Sequence, residues 1–71
     1  MNRPYIYIIA WKPEGEPMVF RKTVVEALNE ESAYSKGQEW AAREKILPLP
    51  GPGNDFAFSA TEFGLFRRKQ P

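Results

Sequence analysis

The sequence predicts a two-layer α+β domain of order β-β-α-β, a three-stranded antiparallel sheet in spatial order 2-1-3 with one helix packed on one face. Three observations carry this expectation. "PYIYIIAW", residues 4–11, is an aromatic and β-branched run that suits a pleated surface. "PEGEP", residues 13–17, sets two prolines around a glycine, the composition of a hairpin loop. "NEESAYSKGQEWAARE", residues 29–44, carries helix start and stop chemistry at its two ends.

The first strand is expected over residues 5–12 and the second over 18–28, antiparallel because a short loop joins them. In the segment that follows, Asn29 is a good N-cap. Glu30 and Glu31 place negative charge in the first turn, and Arg43 and Lys45 place positive charge in the last. A helix is therefore expected over residues 30–45. At helical spacing Ala33, Gly37, Trp40 and Ala41 share one stripe, with Tyr34 at its margin, and Trp40 is the expected anchor. Gly37 costs about 1 kcal/mol against alanine in a helix interior. On the buried stripe, that cost implies close approach of the helix to large side chains on the sheet.

"ILPLPGPGND", residues 46–55, cannot continue the helix, because its prolines favour extended and turn conformations. It reads as a connector. Phe56, Phe58 and Ala60 then alternate with Ala57 and Ser59, the pattern of a third strand. Ser59 to Glu62 also has the spacing of a capping box, so residues 59–66 are open to a strand or a helical turn. Residues 1–66 are read as one domain, and the polar, proline-ended residues 67–71 as a frayed basic tail. A right-handed crossover sets the third strand beside the first, which makes "PYIYIIAW" the central strand.

The totals exclude several function classes. With 71 residues the chain is one domain, in the size range where a single core is marginal unless a partner completes it. Cysteine and histidine are both absent. Thiolate and imidazole metal ligands, the commonest general base and every Ser-His or Cys-His nucleophile go with them. The paired carboxylates Glu14/Glu16 and Glu30/Glu31 have structural reasons to be acidic, in a loop and at a helix start. Glu26 is the acid expected among apolar neighbours. The glycines of "PGPGND" fit no phosphate-binding spacing. No cofactor, metal site or catalytic constellation is expected, and the chain is read as non-enzymatic.

The formal charge of +1 advertises no polyanionic partner. No segment approaches the roughly 20 apolar residues of a membrane span, and nothing at the N-terminus has the pattern of a signal peptide. A cytoplasmic protein is the expectation.

A strand puts Tyr5, Tyr7 and Trp11 on one side and Ile6, Ile8 and Ala10 on the other. The sequence reading sets Ile6, Ile8 and Ala10 beneath the helix and leaves the aromatic row on the open face, where Phe20, Phe63 and Phe66 join it as partner-binding residues. The expected function is a protein-interaction module or accessory subunit, self-associating as a homodimer or binding another protein. The alternative is a small nucleic-acid-binding protein that stacks bases on Tyr5, Tyr7 and Trp11, with Arg3, Lys12, Arg21, Lys22, Arg67 and Arg68 as phosphate contacts. Near-neutral charge and the lack of an RNA-binding sheet signature favour protein over nucleic acid. The passage Ala27-Leu28-Asn29-Glu30-Glu31-Ser32-Ala33 resembles the strand-to-helix passage of many small α+β domains. These include the arm-binding domains of phage-type integrases, small phage or bacterial accessory proteins and halves of ferredoxin-like folds. The resemblance is one of capping chemistry and implies local structure alone.

Overall fold

The β-rich run at the N-terminus becomes β1, Arg3–Trp11, and the proline-flanked loop returns the chain as β2, Val19–Ala27. The computed structural model describes residues 1–49 and 51–60. In the loop between the strands Gly15 takes a left-handed φ of 76°, which glycine adopts without steric cost. The Glu16 N–H donates to the Pro13 carbonyl at 3.1 Å, and Lys12 Nζ reaches across to the Glu16 carbonyl at 3.0 Å.

Helix α1 spans Glu30–Arg43. Asn29 caps its start in extended conformation, accepting the Ser32 N–H on its side-chain oxygen at 2.8 Å. At the other end the Ile46 N–H donates to the Ala41 carbonyl at 2.8 Å and the Lys45 N–H to the Ala42 carbonyl at 3.1 Å. That pair of bonds is a Schellman ending, with Lys45 at φ 63° in the position that glycine usually fills. The connector then lays Ile46 into the core and Leu47 and Leu49 against its margin.

The third strand, β3, spans Gly53–Ser59. The expected connector is therefore shorter than residues 46–55, since Gly53, Asn54 and Asp55 pair with Trp11, Ala10 and Ile9 of β1. Strand order is β2-β1-β3, with β1 antiparallel to both neighbours, as the sequence predicts. Ser59 closes β3, Ala60 donates its N–H to the Pro4 carbonyl, and residues 61–66 lie outside the described residues.

The faces of the sheet are exchanged relative to the sequence reading. Tyr5, Tyr7, Ile9 and Trp11 face α1 and form the core with Ala27, Ala33, Ala41, Ile46 and Ala57. Ile6, Ile8 and Ala10 are on the side away from the helix. The reason lies in Gly37: a Cβ there would overlap the Tyr7 ring, so the helix has a notch into which that ring fits. The close approach inferred from Gly37 is present, and its partner is the aromatic row. Trp40 is the helix's anchor only in part. It is half-buried and meets the Tyr7 ring edge-on at 6.2 Å, while Tyr7 itself is fully buried. No helix among the described residues is long and apolar enough to cross a membrane.

Candidate interaction surface and its supporting cluster

Strand alternation and register decide where each candidate residue lies. Tyr5, Tyr7 and Trp11 are buried beneath α1, so they are not a partner-binding row and present no stacking platform to a base. Of the aromatic residues expected at the open face, Phe20 is there, 67% exposed. Phe63 and Phe66 lie outside the described residues, as do Arg67 and Arg68.

The basic residues do not gather round one surface. Arg3, at the start of β1, shares the helix-side parity of the strand. Lys12 is engaged with the hairpin loop. Arg21 lies on the helix side, its guanidinium 5.7 Å from the centre of the Trp40 ring and 3.4 Å from Glu44. Lys22 points from the open face. A guanidinium held over an indole is engaged in packing, and it does not form a fringe with Lys22 on the other side of the sheet.

The side of the sheet away from α1 is read from the pairs Ile6↔Val24, Ile8↔Lys22 and Ala10↔Phe20 on one side of β1, and Ile6↔Phe58 and Ile8↔Phe56 on the other; Ile6 itself is buried, so the exposed surface lies at its neighbours. Val24 is 46% exposed and Phe56 49% exposed. Phe56 and Phe58 stack at 5.8 Å with a tilt of 32°. A shallow hollow lined by Ile8, Phe20, Arg21 and Lys22 opens beside β2. Three large apolar side chains exposed on one sheet face, Phe20 at two thirds and Val24 and Phe56 at just under half, form a patch, unlike the scattered apolar residues normal to any surface.

Between the layers is a polar cluster that the sequence reading did not find. Asp55 of β3 accepts three side-chain hydrogen bonds: from the Tyr7 hydroxyl at 2.6 Å, the Tyr34 hydroxyl at 2.9 Å and Gln38 Nε2 at 3.1 Å. Gln38 Nε2 also donates to the Tyr34 hydroxyl at 3.1 Å. Burial works to raise the Asp55 carboxyl, but the bonds from Tyr7, Gln38 and Tyr34 outweigh it and hold it below the usual carboxylate range. Burial and then the bond to Asp55 push the Tyr7 hydroxyl far above the phenol range. The same bond, followed by burial, raises Tyr34.

The cluster borders an open groove of about 450 Å³ lined by Glu30, Glu31, Tyr34, Asp55, Phe56 and Ala57. The cluster ties β1 and β3 to α1. A carboxylate stabilised as the anion by three donors is a weak base, and the phenols facing it are held protonated. Among the described residues no group of three or more acidic side chains is arranged to hold a metal ion. Asp55 was missed because "PGPGND" reads as turn. The available signal was parity: Asp55, Ala57 and Ser59 share the face on which Tyr7 lies.

Compared with protein-family models, with curated proteins and with solved structures, the chain has no match.

Proposed function

We propose that the chain is a non-enzymatic protein-interaction module whose contact surface is the open side of its sheet, and whose first partner is a second copy of itself. The observation that supports this is the patch of Phe20, Val24 and Phe56, all exposed on the face away from α1. Apolar side chains gathered on one exposed sheet face support an association surface. The charges around it suit self-association. Lys22 and Glu26 share this face with opposite signs, and a net charge of +1 leaves little repulsion between copies.

The chemistry available points the same way. Among the described residues the well-organised group of titratable side chains, around Asp55, is consumed in joining helix to sheet. An accessory role, in which the patch meets a different protein, is the other outcome of the same measurement.

Sedimentation velocity over a concentration series tests the reading. A dimer is expected, and Phe20→Asp is expected to weaken it by about tenfold or more, since a buried aromatic anchor contributes about 1.5–3 kcal/mol. A chain monomeric at every concentration overturns self-association.

A further inference from the structure

The outer edge of β2 and the order of its side chains specify how two copies would join. The Ala60 N–H donates to the Pro4 carbonyl and the Lys12 N–H to the Pro52 carbonyl, so even-numbered residues of this strand direct their backbone groups toward β3. Odd-numbered residues of β1 therefore bond to β2, in the pairs Tyr5↔Val25, Tyr7↔Thr23 and Ile9↔Arg21. It follows that Phe20, Lys22, Val24 and Glu26 turn their N–H and C=O groups outward, away from the sheet. The Glu26 carbonyl confirms the direction, because it accepts from Lys36 Nζ at 2.6 Å. The other three residues form a strand edge without a described backbone partner, the arrangement to which another strand adds.

The two edges of the sheet differ in what they would bring together. Along β3, Asp55 borders a groove with Glu30 and Glu31, so pairing two copies there would concentrate negative charge. Along β2 the outward residues read Phe20, Lys22, Val24, Glu26, with opposite charges on either side of a valine.

We propose that two copies of the chain pair antiparallel along β2, with the two-fold axis at Val24, into a continuous six-stranded sheet. This rests on the self-association proposed above and narrows its contact to the β2 edge, where Phe20 and Val24 of the patch meet the second copy while Phe56, on β3, stays outside the seam. In that register Val24 faces Val24 of the second copy, and Lys22 faces Glu26 of the second copy, twice by symmetry. Phe20 comes beside Leu28, which is 61% exposed just past the end of β2. On the helix side Thr23 faces Val25 and Arg21 faces Ala27. Neighbouring registers fit less well. An axis at Lys22 sets the two lysines against each other, and an axis at Thr23 sets Phe20 against Glu26.

Neither the Lys22 nor the Glu26 side chain is engaged in a hydrogen bond or ion pair among the described residues, so both are free for this pairing. The axis is perpendicular to the sheet. Both helices thus stay on one side, and both apolar faces stay on the other as one surface.

Charge reversal tests the register. Lys22→Glu alone and Glu26→Lys alone each set like charges opposite at two places, and each is expected to weaken the dimer by about tenfold or more. Mixing the two variants sets opposite charges together again at both places, so a heterodimer of wild-type affinity is expected. All of these positions are exposed, and a circular dichroism spectrum unchanged from wild type confirms the fold of each variant. In a chain without cysteine, Val24→Cys is expected to give a disulfide-linked dimer on mild oxidation, because facing hydrogen-bonded residues lie about 5.5 Å apart at Cα. A dimer indifferent to both charge reversals and not linked through position 24 overturns the β2 register and leaves self-association standing. A chain that is monomeric throughout overturns both.

Discussion

Asp55 joins three parts of the chain at a single side chain, since its donors come from β1 and from two turns of α1. Asp55→Ala removes the acceptor of a buried phenol, and a loss of about 1–3 kcal/mol is expected by denaturant titration. The pH dependence follows from the directions of the shifts. Asp55 has a depressed carboxyl, so its contribution is present above the unfolded value near 3.9 and is lost as pH falls through the lower folded one. Tyr7 and Tyr34 have raised hydroxyls, so theirs is present below about 10 and is lost as pH rises beyond it. Unfolding free energy measured across pH is expected to fall at both ends, and Asp55→Asn is expected to flatten the acid limb. An acid limb equally steep in Asp55→Asn would show that other carboxylates carry it.

At the scale of the element, α1 is set by its ends and by one missing side chain. Gly37→Ala gains about 1 kcal/mol of helix propensity. It also drives a methyl group into the Tyr7 ring, and overpacking of a filled core costs about 1–3 kcal/mol. Net destabilisation is expected, and Gly37→Ala combined with Tyr7→Leu should recover part of it. At the C-terminus Lys45→Gly is expected to stabilise by about 0.5–1 kcal/mol, because the left-handed conformation there strains any residue with a Cβ. A thermal melt measures each.

These elements also show what was legible in the sequence. Asn29, the glutamates after it and the basic end fixed the helix to within two residues, because capping chemistry is local. The strand order followed from loop lengths and crossover geometry. The facing of β1 was not legible, since Tyr5, Tyr7 and Trp11 on one side and Ile6, Ile8 and Ala10 on the other are both apolar, and period-two alternation then carries no sign. Gly37 held that information, but only as a space whose complement could be any large side chain. The exposed patch followed from the same exchange: once the aromatic row is the core, Phe20, Val24 and Phe56 are what remains outside.

At the scale of the whole molecule, the described residues supply one layer of helix for a sheet with two apolar faces, and the stability of the chain is expected to reflect that. A core built from Tyr5, Tyr7, Ile9, Trp11, Ile46, four alanines and their partly buried neighbours is small, and a chain of this length has little margin. If two copies associate through the native sheet, unfolding and dissociation are linked, and the folded state gains by mass action as the concentration rises. Above the dissociation constant each tenfold rise in concentration adds RT ln 10 per dimer, or about 0.7 kcal/mol per chain. For a domain of this size that is about 3–5 °C in Tm. Melts over two decades of concentration are therefore expected to shift upward by about 6–10 °C in the wild-type chain, and markedly less in Phe20→Asp, whose monomer has no partner to lose. A Tm independent of concentration in both proteins would assign all of the stability to the single chain. The apolar face would then contribute nothing through self-association, and the accessory reading would be the one to pursue.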